Sequence, residues 1–245
     1  MTATTIQLLG HATFKITTPA GKIILLDPWL TNNPFIPPHL CDQDGADLVL
    51  ITHGHEDHCD LNLDEYVRRN HCTVIANNIV SWFWLGKGLE SKYFEPLNLG
   101  GTLHWEDVSI TQVLGFHVSH IPLSDHEVGF PHSSVGYILQ FSDGLKAYFA
   151  GDTSVFGDMR LLADIYQPNL AILPIGDRYT MGPLEASHAI RLLRVKQVIP
   201  FHYGTFPDLS GTVEELQRLT GDIPDLEIHA LPAGGIYSAN DNLAK

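Results

Sequence analysis

Thr52–Asp60 reads THGHEDHCD, and it places four potential metal ligands, His53, His55, Asp57 and His58, within six positions. Imidazole nitrogens and carboxylate oxygens are the donors that borderline-soft divalent cations take. Spaced as H-x-H-x-D-H in a tight loop, they can aim at two neighbouring points. Two histidines suit one ion, and an aspartate with a third histidine suits another. A closed structural zinc site is more often built from C-x-x-C pairs, and the sequence has none. A lone histidine here would read as solvated or as a core residue bonded to a carbonyl. Four ligand-type residues at the end of one apolar run outweigh that reading.

The elements around the loop must hold it rigid. ADLVLIT (46–52) is a continuous apolar run of strand length and reads as a buried strand leading directly into the histidines. Before it, TIQLLG, TFKITT and KIILLD read as short strands, and a proline-rich loop follows them. LNLDEYVRRN is a helix candidate, CTVIA a strand, and NIVSWFWLGKG a helix stopped by glycine. GTLHWEDVSITQVLGFHVSH and SVGYILQFSDGLKAYFAGD read as hairpins, the second turning at Ser-Asp-Gly. The last third alternates. A helix near Asp158–Tyr166 leads to strand NLAILPI, helix PLEASHAIRLLR, strand QVIPFH, helix TVEELQRLT and strand LEIHAL. Sheets inside and helices outside follow from this order, with polar residues gathered at strand ends.

Composition narrows the class. The 245 residues are 44% hydrophobic, enough for a sizeable core. Twenty-eight acidic against 14 basic residues give a net charge of −14, which repels phosphate backbones, so no nucleic-acid partner is expected. No apolar run approaches the roughly 20 residues of a membrane span. The opening MTATTIQLLGHATF lacks a basic stretch followed by an apolar one, and three cysteines (Cys41, Cys59, Cys72) do not make a disulfide framework. The expectation is a cytoplasmic protein acting on a small molecule.

The motif T-H-x-H-x-D-H after a buried strand resembles the metallo-β-lactamase superfamily, which also carries a later histidine, an aspartate at a strand end and a final histidine. LGFHVSH offers His117, YFAGDTSVF offers Asp152 and VIPFHYGTFP offers His202, in that order. LLGHATFKI, LLDPWL, AGDT, LPIGDRYTMGP and HYGTFP further resemble a bacterial family of metal-dependent hydrolases akin to the ascorbate-6-phosphate lactonase type. The likeness spans nearly the whole chain. It implies an α+β fold, the αβ/βα four-layer sandwich of two mixed β-sheets flanked by helices. One domain would cover 1–245, with pseudo-symmetric halves of roughly 1–125 and 126–245 and the site along one edge between them. It also implies that His53, His55 and His117 hold one divalent ion, that Asp57, His58 and His202 hold a second, and that Asp152 bridges both. His120 competes with His117. His126 and His132 lie in a Gly/Pro-containing segment read as a flap rather than as ligands. Cys59 reads as a small residue packed behind the loop, Cys72 as core and Cys41 as loop.

Two ions ~3.5–4 Å apart can share one water, lower its pKa toward neutrality and present hydroxide as the nucleophile. No G-x-S-x-G elbow offers a competing serine. Asp57 and Asp152 are then the catalytic candidates, Asp57 also steering the attacking water or relaying its proton. Metal-bound histidines usually donate their other N–H to a carboxylate or carbonyl. Asp27 after KIILL is the candidate for that, and His11 in the first turn is a weaker one. In PIGDRYTMGP, Arg178 can meet an anionic substrate group and Tyr179 can donate to a developing oxyanion. Tyr203 and Thr205, after His202, are candidates to line the pocket. SWFWL reads as core or a subunit interface, and TNNPFIPPHL as an oligomer contact or a pocket wall. His and Asp ligands suit zinc best and tolerate manganese, iron or nickel. The expected activity is hydrolysis of a small ester, lactone or phosphodiester. The rivals are a non-catalytic, metal-stabilised binding or scaffold protein, and a phosphodiesterase or nuclease-type relative, which the charge disfavours.

Overall fold

Each apolar run read as a strand is buried on both faces, and that requirement dictates layers. Ile24, Leu25 and Leu26 are all fully buried, as are Leu48, Val49 and Leu50. Successive strand side chains point to opposite faces, so such a run needs cover above and below. The computed structural model describes residues 2–124, 127–128 and 131–239.

In chain order the first strands are β1 (Thr5–Gly10), β2 (Thr13–Thr17), β3 (Ile23–Leu26) and β4 (Leu48–Leu50). Helix α1 (Leu63–Asn70), β5 (Thr73–Ile75) and α2 (Asn78–Gly86) follow. Next come β6 (Thr102–Trp105), β7 (Val108–Ser119), β8 (Pro122–Ser124), β9 (Glu127–Val128), β10 (His132–Phe141) and β11 (Lys146–Phe149). The remainder alternates as α3 (Met159–Tyr166), β12 (Leu170–Pro174), α4 (Pro183–Leu193), β13 (Gln197–Phe201), α5 (Val213–Thr220), β14 (Glu227–Ile228) and β15 (Ile236–Ser238). Helix starts carry the expected chemistry. The Asn77 side chain accepts from Val80 N, and the Thr212 side chain accepts from Glu215 N. Pro183 opens α4, where Gly182 N donates to the Glu185 carboxylate.

Among the described residues, one sheet has the order β15-β1-β2-β3-β4-β5 and the other β14-β13-β12-β11-β10-β7-β6. Both are mixed. In the first, β3, β4 and β5 run parallel; in the second, β11 to β14 do. Side chains from both inner faces, including Phe14, Ile24, Leu50, Tyr137, Phe149 and Phe201, form the central core. The opposite faces pack against α1 and α2 on one side and against α3, α4 and α5 on the other. The result is the α+β four-layer sandwich.

The strands do not divide between the sheets at residue 125. β6 and β7 already belong to the second sheet, because β7 forms a long antiparallel ladder with β10, from Val108↔Phe141 to Ser119↔His132. β15 returns to the first sheet by pairing with β1. Its short run of three residues carries no sequence signal of its own. SWFWL is split: Phe83 and Trp84 are buried under the sheet, whereas Trp82 is exposed. Among the described residues, no helix is long and apolar enough to cross a membrane.

Gly176 shows how tightly strand ends are set against one another. A Cβ there would lie 2.0 Å from the carbonyl oxygen of His202. Gly176→Ala is expected to cost about 3 kcal/mol, lowering the melting temperature by about 10 °C and displacing His202. A thermal melt of the variant checks this.

Candidate metal centre

The ends of parallel strands converge on one edge of the sandwich. Asp27 follows β3, His53 follows β4 after Ile51 and Thr52, Asp152 follows β11, and His202 follows β13. His11 sits in the β1–β2 turn and His117 within β7. His11, Asp27 and His202 have φ of 56°, 47° and 57°, a left-handed conformation that costs a non-glycine residue on the order of 1–3 kcal/mol. In each case the chain leaves its strand by a sharp turn that keeps the side chain on the edge.

Among the described residues three donor groups result, two of them separate clusters and a third, Asp27, His53 and His58, sharing one histidine with each. His53 Nε2 and His117 Nε2 lie 3.0 and 3.4 Å from His55 Nδ1. Ligands of a tetrahedral ion at 2.0–2.1 Å stand about 3.3 Å apart, so this spacing is that of a shared ion. In the second cluster, Asp57 Oδ2 lies 3.1 Å from His11 Nε2, 3.5 Å from His202 Nε2 and 3.9 Å from His58 Nε2. Asp152 stands between the two. Its Oδ1 is 3.3 Å from His58 Nε2, and its Oδ2 is 3.4 Å from His202 Nε2 and 3.9 Å from both His53 Nε2 and His117 Nε2. His58 Nε2, His202 Nε2 and Asp152 Oδ1 are buried without a hydrogen-bond partner. Buried polar atoms are almost always satisfied, so three orphans at this edge fit a cation that binds them. The donors are nitrogen and oxygen throughout, the set zinc and its neighbours take.

A buried network prepares these atoms. Asp27 Oδ1 accepts from Thr52 N, and its Oδ2 accepts from Thr52 Oγ1 and from His58 Nδ1, at 2.7, 2.7 and 2.8 Å. The carboxylate only accepts, so the Thr52 hydroxyl must donate to it. That leaves the same hydroxyl as acceptor for His53 Nδ1, 3.0 Å away. Both histidines therefore carry their hydrogen on Nδ1 and turn a lone pair on Nε2 toward the cluster. Asp27→Asn puts an amide hydrogen against one of these donors. It is expected to weaken metal affinity about 10–100-fold, and competition with a chelator of known affinity measures this.

Burial acts in the same direction on three of the histidines, while the carboxylates of Asp152, Asp57 and Asp27 outweigh it at His58 and raise that ring. Burial lowers His55 to about 4 and holds His53 and His117 below the ordinary histidine value, keeping them neutral and able to bind a cation. Burial alone would raise Asp57 and Asp152. The neighbouring histidines, His58 and His202 above all, outweigh it and hold both carboxyls well below the usual range.

The remaining candidates separate. His120 meets His55 only by ring contact, centroids 5.0 Å apart, and lies outside the donor clusters. His132 Nε2 accepts from Gly54 N at 3.1 Å, bracing the ligand loop, while His126 lies outside the described residues. Gly54 admits no side chain, since a Cβ would fall 2.3 Å from Ile121 Cγ1. His11 is more central than its turn suggested. Its Nε2 meets Asp57 and its Nδ1 meets Thr205 Oγ1 at 2.7 Å. Burial lowers it to about 4. Tyr179 lines a cavity of roughly 400 Å³ that opens onto His55, Asp57, His117, Asp152 and His202. Arg178 does not line it; its Nη1 is 2.6 Å from Asp208 Oδ1. Tyr203 and Thr205 line a second cavity of roughly 310 Å³ beside His11 and His202, with Phe35 of the proline-rich loop as part of its wall. Thr52, Phe206, Pro207 and Leu209 were not legible as site residues. Thr52 alone had a signal, its place directly before His53. Cys59 and Cys72 are buried and Cys41 is exposed.

Comparison with known proteins shows the family. The beta-lactamase superfamily domain matches residues 5–202. A UPF0173 metal-dependent hydrolase of Rubrobacter xylanophilus is 45% identical over 232 residues, covering 94% of this chain and 95% of the relative. Another, of Herpetosiphon aurantiacus, is 41% identical over 220 residues, covering 89% and 90%. A novel metallo hydrolase of known structure from the hyperthermophilic archaeon Ignicoccus hospitalis superposes with a TM-score of 0.80 at 28% identity, covering 97% and 98%. With its histidine–aspartate clusters on the edge of a four-layer sandwich, this chain belongs to the beta-lactamase superfamily and, within it, to the UPF0173 metal-dependent hydrolases.

Proposed function

We propose that the chain is a cytoplasmic hydrolase of small esters, lactones or phosphodiesters, working through a dinuclear centre. One ion would be held by His53, His55 and His117 and the other by Asp57, His58 and His202, with Asp152 as the shared ligand. The observation that carries this is the position of Asp152, whose two carboxylate oxygens lie within 3.9 Å of four histidine nitrogens drawn from both clusters. Zinc is the proposed ion. When bound, such a pair lowers the pKa of a water and polarises the oxygen of the bond to be cleaved.

The chain's own groups then have defined tasks. Asp57 lines the cavity, and its ionised carboxylate is available to orient an attacking water and accept its proton. His11 fixes that carboxylate from behind through Nε2, while Thr205 fixes His11. The Tyr179 hydroxyl is available to donate to the oxygen that gains charge. The cavity is of a size for a small molecule.

Chelation tests the dependence on metal. Protein stripped of metal is expected to lose hydrolysis and to melt roughly 5–10 °C lower, the effect of losing a ligand present at about 100 times its dissociation constant. Adding metal back should restore both. Turnover that survives complete stripping would contradict the proposal.

A further inference from the structure

The cavity beside the clusters has an uneven chemistry. Its far wall is Tyr179, Phe206, Pro207 and Leu209, with Tyr179 and Phe206 presenting exposed ring surface. Phe206 is held in place by Phe35, ring centroids 5.0 Å apart, and by the edge of His11 at 5.2 Å. The remaining polar group on that side is Asp208, a carboxylate.

Among the described residues no lysine or arginine lines this cavity. Arg178, beside Tyr179, is turned to Asp208. Lys245 lies outside the described residues. The nearest cation, Arg178, lies over the Tyr179 ring and is already paired with Asp208, so a remote anionic group on a substrate would surrender its hydration without finding an unpaired cation, and would approach a chain of net charge −14. An aryl or alkyl group would instead bury apolar surface against two rings, a proline and a leucine.

Building on the hydrolase reading above, we infer that the substrate is a carboxylic ester or lactone whose non-reacting part is uncharged and apolar, seated against Tyr179, Phe206, Pro207 and Leu209. Substrates carrying a remote phosphate or carboxylate are disfavoured. The reaction adds water across the acyl C–O bond: the bond to the alcohol oxygen breaks, the acyl carbon takes the hydroxyl, and the released alcohol takes the hydrogen.

Two measurements on the metal-loaded protein test this. The first compares kcat/KM for 4-nitrophenyl butyrate and 4-nitrophenyl hemisuccinate, which differ in a remote methyl against a remote carboxylate. The butyrate is expected to be preferred by at least about 30-fold. The second measures calorimetric binding of butyranilide, a neutral amide analogue, to wild type, Tyr179→Ala and Phe206→Ala. Each variant is expected to bind about tenfold more weakly. Equal or better turnover of the hemisuccinate overturns the inference, and so does butyranilide binding that neither variant weakens. If no ester, lactone or phosphodiester is cleaved yet butyranilide binding depends on both rings, the apolar seat stands and the hydrolase reading fails; if only phosphodiesters are cleaved, the ester assignment is overturned.

Discussion

Replacing Asp57 with asparagine is expected to lower kcat/KM by about 10²–10⁴-fold while shifting the melting temperature by only a few degrees. The substitution keeps the size and shape of the side chain and removes one anionic oxygen. That oxygen faces His11, His202 and His58 at 3.1, 3.5 and 3.9 Å, so its loss falls on the second cluster and on any water held there. Stability changes little, because the Asp57 side chain is 29% exposed at the cavity wall and contributes nothing to the hydrophobic clusters. Steady-state kinetics and a thermal melt on the same preparation separate the two effects. Activity within tenfold of wild type would remove Asp57 from the chemistry. A drop of more than about 10 °C would make it a structural residue instead.

On the proposed dinuclear centre, Asp152→Ala is expected to leave one ion or fewer per chain and to lower kcat/KM by more than about 100-fold. Both oxygens of Asp152 face histidine nitrogens, and the residue is 2% exposed, so no water-exposed substitute ligand stands nearby. It hangs from Gly151, whose φ of 61° and close approach to Thr52 turn the chain sharply at the end of β11. Alanine removes the link between the clusters and leaves His58 and His202 facing each other with less counter-charge. Elemental analysis of the reconstituted variant measures the loss. A variant that still holds two ions with wild-type affinity would contradict the bridging role.

The layers were legible because burial on both faces writes itself as unbroken apolar runs. ADLVLIT read as a buried strand and KIILLD as a short one, and the later strands and helices were read from their alternation. The ligand loop was legible because its four residues are local in sequence. Relations across many residues were not. His11 stands 46 positions from Asp57 and 194 from Thr205, so nothing in its turn marks it as part of the second cluster. Arg178 looked free to meet an anion, yet Asp208, 30 residues on, occupies it. Thr52 gained its meaning only when folding brought Asp27 beneath it and forced its hydroxyl to orient His53. The sheet to which β7 belongs was not legible for the same reason, since β7 commits to β10 through pairing rather than through any local signal.

Turnover measured against equivalents of metal added to stripped protein decides whether the proposed dinuclear centre performs the hydrolysis. Zinc, manganese, iron and nickel would each be tried, with bound metal counted by elemental analysis. Two ions per chain are expected, with hydrolysis reaching its full rate only as the second equivalent binds. Two tightly bound ions per chain with no turnover across a broad panel of esters, lactones and phosphodiesters would contradict that expectation.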